Sequence, residues 1–103
     1  MTYPIIIQPL AEADMTEAAL RYENQRSGLG DEFLADIHAS LARAAAHPRQ
    51  FLCLRRRPEV RRILIARFPC RIFFVLRPDA LIVFRVLHGA RRDREWKGNV
   101  PAN

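Results

Sequence analysis

The chain has almost no lysine. Lys97 is the single one among seventeen basic residues, so the positive charge is nearly all arginine. Arginine's planar fork suits paired contacts to carboxylate or phosphate, which leaves protein and nucleic-acid partners both open. Cysteine is scarce too: Cys53 and Cys70 stand in apolar, strand-like settings with no CxxC between them. They read as buried free thiols, and the expected compartment is reduced and cytoplasmic. His38, His47 and His88 do not fall at ligand spacing from the cysteines, so no metal site is expected. No apolar run approaches the roughly 18 residues that span a bilayer, and no basic-then-apolar leader opens the sequence. A glycine-rich phosphate loop, a serine nucleophile signature and a buried carboxylate pair are all lacking. No cofactor is expected, and no membrane contact.

What is present bounds the class. A length of 103 residues fits one domain, with residues from about 97 to 103 expected to fray. Half the residues are hydrophobic, enough for a core. The charge is unevenly spread: residues 1–40 carry net −5 and residues 41–103 carry net +11, which gives the overall +6. A basic C-terminal half implies an acidic or phosphate-bearing partner there. Residues 11–47 are acidic, which argues against a helix-turn-helix entering DNA.

Tyr3–Gln8 is β-branched and short, and reads as a first strand ended by Pro9. Ala11–Arg26 reads as helix, with Met15, Ala18, Ala19 and Tyr22 on one face and Ser27-Gly28 as its stop. Gly30–Ala46 reads as a second helix with Phe33, Ile37, Leu41 and Ala44 as its stripe. The short link makes the two an antiparallel hairpin. Residues 51–54 have the composition of an extra short strand, and Arg55–Glu59 reads as a turn or loop with a solvated arginine cluster. A meander follows: Arg61–Ala66, Cys70–Leu76 and Ala80–His88, broken at Phe68-Pro69 and at Pro78-Asp79. The order β-α-α-β-β-β is an α+β, two-layer plan with the helix hairpin packed on a mostly antiparallel sheet.

The meander strands are apolar on both faces. Alternation sets Ile72, Phe74 and Leu76 against Arg71, Phe73 and Val75, and Ile82, Phe84 and Val86 against Leu81, Val83 and Leu87. Helices cover one face only, so the other is expected to be apolar, arginine-bearing and partly open, a partner surface. A two-residue turn at Pro78-Asp79 puts residues 71 and 86 opposite, with Arg71 sharing a face with His88. One residue more puts Arg71 with Arg85 and Leu87. His88 suits acid–base work near neutral pH but equally suits holding a turn. Trp96 either pins the charged tail to the sheet or anchors an interface.

Several segments in this order carry a family resemblance. They are AEADMTEAALRYENQRSGLGDEFLADI across the hairpin, VRRILIARFPCRIFFVL with its RR-x(5)-FP-x-RI-x-F core, and VFRVLHGARRDREW with its H-x-x-R-x(4)-W close. The chain resembles the RelE/ParE toxins of type II toxin–antitoxin systems, nearer the ParE-like branch. The resemblance covers nearly the whole chain.

It implies a toxin neutralised by a cognate antitoxin, whose acidic and apolar C-terminal segment covers basic and apolar surface. ParE-like members poison DNA gyrase and need no catalytic residues of their own. The implied target- or antitoxin-binding residues are Arg62, Arg67, Arg71, Phe73, Arg85, His88, Arg91, Arg92 and Trp96. The RelE-like alternative is a ribosome-dependent mRNA endoribonuclease, for which Arg62, Arg71, His88 and Arg91 are the candidates. Leu64 stands where that branch expects a second strand base, Cys70 where it expects an aromatic, and Trp96 near its C-terminal tyrosine. The acid–base set is incomplete on that pattern. A nucleic-acid-binding module without toxicity is the third reading.

Overall fold

The computed structural model describes residues 2–55, 57–89 and 93–101. Helix α1 spans Pro9–Gln25 and α2 spans Leu29–Ala46. Pro9 stands in the first turn of α1, where a missing N–H costs nothing. Ala11, Met15, Ala18 and Tyr22 form its buried stripe, and Phe33, Ile37, Leu41 and Ala44 that of α2. Gly28 joins the helices at φ 88°, a left-handed conformation that glycine adopts without strain. The Glu23 carboxylate accepts the N–H groups of Gly28 (2.9 Å) and Gly30 (3.0 Å), so α1 caps the start of α2. These bonds hold the Glu23 carboxyl below its usual range. A Cβ on Gly30 would lie 2.7 Å from the Ala19 carbonyl oxygen, so the close approach of the helices depends on its absence.

Five strands follow the order β1-β5-β4-β3-β2. They are β1 (Ile5–Ile7), β2 (Leu52–Leu54), β3 (Arg57–Leu64), β4 (Cys70–Arg77) and β5 (Ala80–His88). Only β1 runs parallel to its neighbour, β5; the other pairings are antiparallel. This is the two-layer α+β arrangement expected from the sequence, including the short strand before β3. The expected loop over Arg55–Glu59 is shorter than the sequence suggests, because β3 already begins at Arg57. Pro58 is tolerated there because β4 pairs with β3 only from Val60 onward.

The β4–β5 register takes a course between the two alternatives. The turn is the two-residue one, with Arg77 opposite Ala80, and the ladder runs regularly to Phe74 opposite Val83. Phe73 then pairs with Arg85, leaving Phe84 as an extra residue in a β-bulge. Beyond it Arg71 lies opposite Leu87 and Cys70 opposite His88. Arg71 therefore shares a face with Leu87, and strict alternation fails along β5. Val86 packs with the helix-side core and Phe84 and Leu87 with the other.

That other face is not open along its whole length. Val60, Phe73, Val75, Phe84 and Leu87 form a second core, closed by Trp96 from the C-terminal 3-10 helix Asp93–Asn99. Trp96 is 4% exposed. Its ring stacks on Phe73 (6.0 Å, 29°) and meets Phe84 edge-on (6.4 Å, 76°). Of the two roles the sequence leaves open for Trp96, this is the first, pinning the tail to the sheet. Among the described residues no helix is long and apolar enough to cross a membrane.

Candidate docking surface

The sheet face on the tail side splits into a covered and an uncovered part. Register places Leu52, Arg62, Phe73 and Arg85 in one row across β2 to β5. It places Leu64, Arg71 and Leu87 in the next row along the same face. The β5 side of these rows lies in the second core. The β2–β3 side does not: Leu52 is 61% exposed and Leu64 is 63% exposed. Between them stand Arg62 and Arg71, both half-buried. Arg71 donates from Nη1 to the Gly89 carbonyl at 3.2 Å, which holds its guanidinium along the strand end. Two exposed leucines flanking two positioned arginines suit a partner that brings apolar side chains and acids together.

Arg57, Arg67, Arg77 and Arg85 make contacts within the chain away from this pair. Arg85 is buried and donates from Nε and Nη2 to Asp14 on α1 at 2.8 and 3.1 Å, while its Nη1 reaches the Asn99 side chain at 3.1 Å. Asp14 also accepts the Val86 N–H at 2.9 Å. One carboxylate thus satisfies a buried guanidinium and a strand-edge donor. Arg77 donates to the Pro101 carbonyl, and the Arg57 guanidinium sits 5.9 Å from the Trp96 ring centroid. Arginines from three strands therefore grip the C-terminal segment. Arg67 turns toward α2, pairing with Glu32 (2.8 Å) and Asp36 (3.2 Å).

His88 lies on the helix side, bonded through Nε2 to the Tyr22 hydroxyl at 2.5 Å. Burial, then the nearby Arg21 and Arg71 charges, hold it below its ordinary value of 6.5. Burial pushes the neighbouring Cys70 thiol up to about 12, so it stays protonated. Neither group is set up as a nucleophile or as a base aimed at the arginine pair. Among the described residues no group of three or more His, Cys, Asp or Glu side chains could hold a metal ion. A cleft of about 540 Å³ lies at the opposite end of β4, lined by Tyr3, Pro4, His47, Pro48, Arg49 and Asp79 among others, away from the arginine pair.

Of the residues singled out in the sequence, the structure brings Arg62 and Arg71 together on one exposed face. It places Phe73 and Trp96 against one another in the second core, Arg85 in an ion pair, Arg67 on α2 and His88 on Tyr22. Arg91 and Arg92 lie outside the described residues. Sequence reasoning gave no site role to Leu52, Asp14 or Tyr22, and read Leu64 only as a missing strand base. Leu64 carried a usable signal, since it stands two residues from Arg62 and so shares its strand face, whereas Leu52 meets Arg62 only through the β2–β3 pairing. Asp14 carried none, because its partner is 71 residues away.

Among solved structures, a chain of the chromosomal ParDE toxin–antitoxin system from P. aeruginosa shares this fold. The TM-score is 0.69 at 16% identity, covering 84% of this chain and 96% of that one. Identity that low speaks for the fold alone. No curated protein matches the sequence. Residues 5–93 match the family model of the ParE toxin of type II toxin–antitoxin systems, parDE, a span that takes in both helices and all five strands. The chain belongs to the ParE toxin family.

Proposed function

We propose that this toxin acts on DNA gyrase through its uncovered sheet face, and that a cognate antitoxin silences it there by laying down an acidic, apolar segment. The observation that carries the reading is the surface itself: Leu52 and Leu64 exposed on either side of Arg62 and Arg71. Such a surface supplies charge and apolar contact, which is what docking needs. Among the described nuclease candidates, the histidine suited to acid–base work does not lie on it, since His88 is held on the helix side by Tyr22. A ParDE relative of the same fold fits a toxin–antitoxin pairing.

The test uses gyrase supercoiling and gyrase-mediated DNA cleavage, with and without Arg71→Ala. Wild-type protein is expected to inhibit, and the variant to lose inhibition while keeping its far-UV circular dichroism. Ribosome-dependent mRNA cleavage that Arg71→Ala abolishes would replace this reading with a ribonuclease. Inertness in both assays, with tight salt-sensitive nucleic-acid binding, would replace it with a binding module.

A further inference from the structure

We propose that the outer edge of β1 is a self-association site, at which two copies of the chain pair β1 with β1, antiparallel, about a two-fold axis midway between their Ile6 residues. The inference is independent of the gyrase and antitoxin reading, because it uses neither the arginine surface nor the C-terminal segment.

Among the described residues β1 is an end strand, bonded on one side only, to β5. The Pro4 carbonyl accepts from Leu81 N–H, and Gln8 N–H donates to the Val83 carbonyl. Backbone groups alternate in direction along a strand, so residues 4, 6 and 8 face β5. The N–H and C=O groups of Ile5 and Ile7 then face outward, as a ready template for another strand. The side chains around them are apolar: Ile5 is 38% and Ile6 50% exposed, and Leu10 is exposed in the first turn of α1. Residues 2–11 carry no charged side chain at all, in a chain where 27% of residues are charged. Proteins commonly blunt a free edge with charge. This one is blunted only at its ends, by Pro4 and Pro9.

A second copy fits this edge in register and in charge. With Ile6 opposite Ile6, Ile5 of one copy stands opposite Ile7 of the other. Both are outward-facing residues, so each such pair exchanges two hydrogen bonds. Ile6 then falls at the closer, non-bonded position, where β-branched side chains pack well. Pro4 faces its own β5, so its missing N–H removes nothing from the new ladder. The contact is isologous and closes as a dimer. Copies meeting through the arginine surface or through the acidic hairpin would repel; copies meeting here bring no charge together. An acidic partner segment suits the arginines instead. A three-residue ladder buries less than a standard stable interface, so the dimer is weak and forms at high protein concentration.

The full chain, free of antitoxin, is examined by sedimentation velocity from about 1 μM to about 500 μM. A monomer–dimer equilibrium is expected, unmoved between about 0.1 and 0.5 M NaCl because the contact is uncharged. Ile6→Lys sets two ammonium groups across the axis from each other and should weaken association at least about tenfold, whereas Ile6→Val retains it. Leu20→Lys, on the exposed side of α1, should leave it unchanged. The Ile5 and Ile7 amides should gain exchange protection as concentration rises. A monomer throughout the range, a dimer indifferent to Ile6→Lys, or a dimer dissolved by salt would each overturn the proposal. Protection that appears only with added antitoxin, the free chain staying monomeric, would assign the edge to that partner and overturn it equally.

Discussion

Replacing Trp96 with alanine should unfold much of the second core's advantage, and the loss can be worked from its contacts. Trp96 is 4% exposed, stacked on Phe73 and edge-on to Phe84, with Arg57 over its ring. A buried tryptophan removes on the order of 150–250 Å² from water, about 4–6 kcal/mol at ~25 cal/mol per Å². That is an upper bound, because the unfolded chain already hides part of this surface. Measured aromatic-to-alanine changes in cores cost about 3–5 kcal/mol, and that range is the expectation here. For a chain of this length it corresponds to a melting temperature lower by at least about 12 °C. Urea denaturation followed by far-UV circular dichroism reads the change without relying on the deleted fluorophore. The cation–π contact is a minor part: Arg57→Ala should cost no more than about 1 kcal/mol. A Trp96→Ala loss under about 1 kcal/mol, with an unchanged denaturant slope, would refute the closed second core.

Three further outcomes follow from the geometry. Asp14→Ala leaves the Arg85 guanidinium buried without its carboxylate and should cost about 3–5 kcal/mol in urea denaturation; adding Arg85→Leu should recover part of it, and strict additivity would show that the two are not coupled. Gly30→Ala drives a methyl group into the Ala19 carbonyl and should destabilise by about 1–3 kcal/mol, with an unchanged melting temperature as the contrary result. His88 has a folded pKa below its ordinary 6.5, so the unfolded chain takes up the proton first. Its contribution is complete above about pH 6.5 and is lost as pH falls from there through the folded value. His88→Gln should therefore flatten the fall in denaturation midpoint between about pH 7 and pH 5, and parallel profiles for the two proteins would contradict this.

The helices were legible because their physics is local. Met15, Ala18 and Tyr22 recur at helical spacing, and Gly28 supplies a conformation few other residues adopt. The meander was legible as strands, since β-branched runs broken by proline leave little else. Its pairing was not. A two-residue turn alone would set Arg71 opposite Val86, and the bulge at Phe84 sets it opposite Leu87 instead. Nothing in the composition of FRV marks that extra residue. Arginine in an apolar strand signalled a site but could not say which arginine. Arg85 meets an aspartate in its own chain and Arg57 an indole, while Arg62 and Arg71 lie beside the exposed leucines. The choice is made by long-range pairing, which no local pattern encodes.

The acidic hairpin and the arginine-bearing sheet face lie on opposite layers, and this gives the molecule two electrical poles. Glu12, Glu17, Glu23 and Asp31 are exposed on the helices, whereas the chain beyond residue 40 carries the positive excess. In an anionic field, such as that around DNA held by an enzyme or an acidic peptide, the chain experiences a torque before contact. The sheet face turns inward and the helices turn away. Fewer encounters are wasted on the wrong orientation, so association should be fast at low ionic strength and slow steeply as salt shortens the Debye length. The layering that builds the core thus also aims the molecule.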